Sequence, residues 1–127
     1  MKFKLLVSTF SLCLAFSCSK ADLEPTCPQS LEELIIGSFS IEDPLASGQV
    51  TFNSDGTWSD PNQVLLHAKA NGEWLDEKTY TVLSETSLEL RVAKGSNSQT
   101  AEYKVESSSC AEIVISYFGF ELTLERN

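Results

Sequence analysis

From residue 38 onward the chain alternates apolar and polar residues with a period of two. Turn-forming residues interrupt the alternation about every 8–12 residues. No other feature of the sequence restricts the fold so tightly. A helix repeats about every 3.6 residues, so strict alternation scatters apolar residues around a helix but gathers them on one face of a strand. Leu88, Leu90 and Val92 alternate with Glu89 and Arg91. Ala101, Tyr103 and Val105 alternate with Glu102, Lys104 and Glu106. Ile113, Ile115 and Tyr117 share a face, as do Phe120, Leu122 and Leu124, opposite Glu121, Thr123 and Glu125. Tyr80 and Val82 alternate with Thr79 and Thr81. Turns fall at Ser84-Glu85, around Gly95, at Ser107-Ser108-Ser109 and at Gly119. Shorter strands are expected at 38–41, 49–53 and 57–59, separated by Glu42-Asp43-Pro44 and the tight Ser54-Asp55-Gly56 hairpin. Asp60-Pro61-Asn62 breaks the chain again, and Asn71-Gly72 turns it into Glu73-Trp74-Leu75. Residues 64–70 read either as a strand, with Leu66 inward and Leu65 and His67 outward, or as a two-turn helix. The expectation is an all-β domain of about eight short antiparallel strands, a barrel or a sandwich. One face is apolar throughout, as in a sheet closed around a single interior.

Ahead of the strands, residues 28–36 read as one short helix. Ser30 and Glu33 have capping-box spacing, Leu31, Leu34 and Ile35 line one side, and Gly37 fits as its stop. Earlier still, Lys2 and Lys4 precede an uncharged apolar run over 5–16, and small Ser17 follows. That is the plan of a secretory signal. The run is about a dozen residues, short of the roughly 20 that cross a bilayer as a helix. Ser17-Cys18 resembles the lipobox of bacterial lipoproteins, with Ala15 where that family usually has Leu and bulky Phe16 beside it. The resemblance implies cleavage before Cys18 and acyl chains on its thiol and amine, an anchor worth about 0.8 kcal/mol per buried CH₂. The alternative is an ordinary cleaved signal with Cys18 incidental. The expected organisation is a signal peptide at 1–17, a tether at 18–26 containing Pro25, and one domain at 27–127.

Removing residues 1–17 takes away Lys2 and Lys4 and leaves 7 Lys+Arg against 18 Asp+Glu, a balance of −11 compared with −9 for the whole chain. Such acidity argues against nucleic acid and against an anionic membrane surface as partners. Of the four cysteines, Cys13 leaves with the leader and Cys18 takes the lipid. Cys27 and Cys110 remain in an exported chain and are expected to pair. A metal site is the other use of such residues, but there is no CxxC and His67 is the one histidine.

Taken in order, residues 31–126 are similar to the small lipocalin-like lipoproteins of Gram-negative bacteria. Ile36-Gly37-Ser38-Phe39 stands where lipocalins carry Gly-x-Trp, and residues 50–58 are similar to their Phe-x-x-Asp-Gly-x-Trp hairpin. Gly72-Glu73-Trp74 is like the internal Gly-x-Trp, and residues 120–126 resemble the closing strand with its basic end. The resemblance implies an up-and-down barrel closed at one end by Arg126 over Phe39, with Phe in place of the family's Trp. It also implies a pocket for a small hydrophobic ligand at the barrel mouth, lined by Trp58, Trp74, Tyr80, Tyr103 and Tyr117. The inward set is Phe52, Trp58, Leu66, Trp74, Tyr80, Val82, Leu88, Leu90, Tyr103, Val105, Ile113, Ile115, Tyr117, Phe120 and Leu122. So many bulky residues in a domain of this size favour a filled interior, as in small eight-stranded barrels, over a pocket.

The sequence offers no reactive set. His67 reads as a solvated side chain, and Glu89, Glu102, Glu106, Glu121 and Glu125 read as the polar faces of strands rather than a paired acid and base. There is no phosphate loop or calcium loop, and no cofactor is expected. The expectation is therefore a non-enzymatic, lipid-anchored envelope protein, held most simply at the outer membrane on its periplasmic or its cell-surface face, binding a small hydrophobic molecule or nothing. The second reading is an interaction module with an envelope protein partner, such as a barrel-type protease inhibitor or a subunit of a surface complex. It would work through loops at 42–48, 60–63 or 94–98.

Overall fold

The computed structural model describes Cys27, residues 30–44 and residues 46–127. The expected signal peptide, Cys18 and the expected tether lie outside the described residues. A short helix α1 (Leu31–Leu34) leads into β1 (Gly37–Glu42), β2 (Ser47–Phe52) and β3 (Trp58–Ser59). A small hairpin of β4 (Lys69–Ala70) and β5 (Glu73–Trp74) follows. The long strands are β6 (Glu77–Ser84), β7 (Ser87–Lys94), β8 (Asn97–Ser108), β9 (Glu112–Tyr117) and β10 (Phe120–Arg126).

Eight strands form one antiparallel sheet in the order β3-β2-β1-β10-β9-β8-β7-β6, and β4-β5 stands apart as a pair. Strands adjacent in the chain are adjacent in the sheet, and the last strand returns to the first through Phe39↔Arg126 and Ile41↔Leu124. The remaining seam lies between β3 and β6. It is bridged by Thr57↔Thr79, by the Tyr80 amide donating to Gly56 O at 2.9 Å, and by Trp58 Nε1 donating to Thr79 O at 3.0 Å. The result is a nearly closed, eight-stranded antiparallel barrel, as the alternation predicts. Closure matters physically because it leaves few unpaired strand edges.

The alternation sorts side chains as expected along most of the sheet. Leu88, Leu90, Val92, Ala101, Tyr103, Val105, Ile113, Ile115 and Leu124 are buried, with Phe39, Ile41, Val50, Phe52 and Trp58 from the first three strands. They form one continuous core, and each fully buried Leu, Ile, Val or Phe contributes about 1.5–3 kcal/mol relative to exposure.

Four expectations are corrected. Helix α1 ends at Leu34, short of the expected Ile36, and the Ser30 side chain makes no capping bond. The carboxylate of Glu85, in the β6–β7 turn, accepts from the Leu31 amide at 3.0 Å instead. Residues 64–68 are neither strand nor helix. Asp60, 2 % exposed, accepts from the amides of Val64 at 3.0 Å and Leu65 at 2.7 Å, which tucks Leu65 into the core and leaves Leu66 half-buried. Trp74, Tyr117 and Phe120, expected to point inward, are 42 %, 38 % and 71 % exposed. Tyr117 and Phe120 are the last pair before the β9–β10 turn, and Trp74 lies on the separate β4–β5 pair rather than in the barrel sheet.

Candidate functional site

The two ends of β9 lead to opposite ends of the barrel. At its start, Cys110 is paired with Cys27 at disulfide distance, with Cα atoms 5.7 Å apart. Arg126 organises the same end. Its Nε donates to Cys110 O at 2.8 Å and its Nη1 to Ile36 O at 3.1 Å, while Nη2 donates to Leu34 O. Its guanidinium lies 4.8 Å from the centre of the Phe39 ring. The structure thus brings Phe39 and Arg126 together. It also shows why Gly37 is glycine: φ is +140° and an added Cβ would stand 2.5 Å from Arg126 Nη1.

At the far end of β9, Tyr117 pairs with Phe120 across a two-residue turn. Phe118 has φ 50° and Gly119 φ 83°, a left-handed pair of the kind that two-residue hairpins require. Asn or Gly is the favoured first residue of such a turn, and a bulky side chain there is a conformational outlier. The Phe118 ring is 86 % exposed and packs edge-on to Tyr117 at 4.5 Å, and Tyr117 in turn lies 5.0 Å from Tyr103.

Beneath this tip runs a groove of about 150 Å³ lined by Val64, Tyr103, Ile115, Ser116, Tyr117, Phe120 and Leu122. Strands β8 to β10 supply one wall, and the segment that Asp60 pins supplies Val64. Burial raises the Tyr103 phenol to about 12, with Tyr117 and Asp60 adding to the effect and a backbone hydrogen bond at Leu66 opposing it. Tyr103 is therefore a neutral, largely apolar floor. A wider groove of about 230 Å³ lies elsewhere, lined by residues that include Glu32, Ile36, Ser54, Tyr80 and Val82.

The five aromatic residues expected to line one pocket are dispersed. Tyr103 and Tyr117 line the rim groove. Trp58 is buried and stacks on Phe52 at 6.3 Å. Tyr80 donates its hydroxyl to Asn53 O at 2.6 Å and lines the other groove. Trp74 lies on the β5 hairpin with the Lys69 ammonium 4.6 Å from its ring centre and His67 beside it. His67 Nδ1 is bonded to the Leu65 carbonyl at 2.9 Å. Phe118 went unnoticed in the sequence. The signal was a bulky residue in the position before a turn glycine, where Asn would be favoured.

Among the described residues, no group of three or more His, Cys, Asp or Glu side chains could hold a metal ion. No described helix is long and apolar enough to cross a membrane. Compared with protein-family models, curated proteins and solved structures, the chain has no significant match.

Proposed function

We propose that this chain is an exported, non-enzymatic lipoprotein of the cell envelope, anchored at the outer membrane by acyl chains on Cys18. Its lipocalin-like barrel takes one small hydrophobic group at the β9–β10 rim rather than a large ligand in its interior. One observation carries the choice of site. The interior side chains form a continuous packed core, whereas the rim keeps a groove of about 150 Å³ between Tyr103, Tyr117 and Phe120. An apolar space of about that volume holds a benzene-sized group. Tyr and Phe bodies would supply the apolar contact, and the two phenol oxygens the polar edge.

The interaction-module reading is favoured by a different observation, the exposure of Phe118 and Phe120 beside the groove. The loop residue Asn62 accepts from the Gln49 amide at 3.2 Å, so the 60–63 loop is held against β2. That makes the rim, rather than this loop, the better candidate surface.

Two measurements test the proposal. Metabolic palmitate labelling of the wild type should be strong and that of Cys18→Ala absent, and equal labelling of both removes the anchor. Native mass spectrometry of the protein from its own host should show a retained small hydrophobic mass that Tyr117→Ala releases. Unliganded protein with a co-purifying polypeptide supports the interaction module instead.

A further inference from the structure

The β9–β10 tip carries an inference that rests on the anchored reading above. We propose that Tyr117, Phe118 and Phe120 seat in the interfacial layer of a zwitterionic lipid bilayer, the membrane that holds Cys18. This would turn the mouth of the rim groove toward the lipid. A group entering the groove would then come from the membrane itself, as part of an amphiphile.

The first argument is the backbone. Phe118 occupies a left-handed position that disfavours it, and its ring is 86 % exposed. The turn does not call for a phenylalanine there, and its one ring contact is with Tyr117 of the same tip; such outliers persist where function uses them. The second argument is chemistry. The four-residue tip Tyr117-Phe118-Gly119-Phe120 carries no charge, so entering the headgroup boundary strips water from no ion. Tyrosine combines an apolar ring with a polar edge, which suits that layer.

The third argument is reach. The anchor and the tip leave the barrel at opposite ends of β9, a six-residue strand that spans about 20 Å. Nine Cα steps from Cys18 to Cys27 reach up to about 30 Å, so both can meet one surface. Anchoring makes the tip's weak affinity effectively intramolecular, so three rings suffice.

A second copy of the chain fits less well. The exposed parts of the three rings amount to roughly 400 Å². That is about half of the ~800 Å² per partner of a standard protein interface. A chain of net charge −9 also repels its own copy.

The test uses the acylated chain in phosphatidylcholine vesicles, with and without bromine on the lipid chains. Phe118→Trp adds a reporter to the two native tryptophans, and the difference from wild type isolates it. Brominated lipid should lower the added emission at least twofold. The Cys18→Ala chain should show the same quenching only at higher lipid concentration. Phosphatidylglycerol should weaken the contact, because the chain is acidic. Equal emission in brominated and plain vesicles at every lipid concentration overturns the proposal. So does sedimentation of the wild type as a dimer that Phe118→Asn dissociates, which gives the tip to a second copy. If wild type and Cys18→Ala bind vesicles alike, the anchor fails on its own: quenching in both still upholds the tip, and its absence in both overturns the tip too.

Discussion

The two ends of this barrel meet the same requirement in opposite ways. Each must stop a column of apolar side chains from opening into water. At the end holding α1, the chain is over-determined. A covalent pair, three hydrogen bonds from Arg126, the Phe39 ring and a glycine that leaves room for the guanidinium all converge there. At the β9–β10 end, a segment pinned by Asp60 covers part of the core, and the last rungs carry bare aromatic rings over a shallow groove. One end places polar groups so that every partner is met. The other keeps a phenylalanine where the backbone resists it. Strain offset only by one ring contact at the surface points to a use outside the fold, whereas satisfied hydrogen bonds need only the fold to explain them.

Breaking the over-determined end should cost most. Replacing both Cys27 and Cys110 with Ala opens a loop whose ends are 83 residues apart in sequence. The expected loss is about 4 kcal/mol, read from the urea midpoint of the oxidised wild type against the double variant. A loss under about 1 kcal/mol would mean that the closed end is not where stability is concentrated. Arg126→Ala should cost about 2–3 kcal/mol, because it strips a shared donor from three carbonyls and removes the cation over Phe39. Gly37→Ala sharpens the attribution. Part of its cost is collision with Arg126 and part is its positive φ. In the Arg126→Ala background the collision share should vanish and the backbone share remain, so the pair should couple in a double-mutant cycle.

These two ends were unequally legible in the sequence. Alternation identified the strands and most of the core, because burial on one face of a closed sheet is what period two encodes. It could not say where each hairpin ends, so Tyr117 and Phe120, the last pair before the β9–β10 turn, were placed inward. Nor could period reveal Asp60, whose carboxylate holds the amides of Val64 and Leu65 and so buries a leucine expected outside. The cap of α1 comes from Glu85, 54 residues away from Leu31, beyond any local motif. Phe39 and Arg126 were read as a pair through a resemblance, yet the carbonyls that Arg126 gathers are main-chain atoms that any residue would present. The rim groove combines β8, β9, β10 and an irregular loop, and such a set exists only after folding.

Alkali should find the open end. The Tyr103 phenol, near 10 when free in the unfolded chain, is raised to about 12 in the fold, first by burial. The folded chain therefore keeps this proton above pH 10 while the unfolded chain loses it. Unfolding then releases protons, and stability falls as pH rises from about 10 to about 12. Below 10 the group has no effect on the slope. The expected loss across that window is about 2–3 kcal/mol. Tyr103→Phe should flatten this part of the profile, measured by denaturant melts at successive pH values. An unchanged slope in the variant would show that Tyr103 is more open to water than its place under the groove implies.

The smallest expected effect has the opposite sign. Phe118→Asn exchanges a side chain that resists the left-handed region for one that tolerates it, in a turn where Asn-Gly is favoured. Since the ring is 86 % exposed, little packing is lost. The variant should be more stable by about 0.5–1 kcal/mol, seen as a rise in the urea midpoint with an unchanged slope. A gain at this end, beside losses at the other, would establish that the barrel keeps Phe118 at the expense of stability. A loss of similar size would mean that the contacts of Phe118 with Tyr117 outweigh the strain, and that the tip is simply a packed corner of the fold.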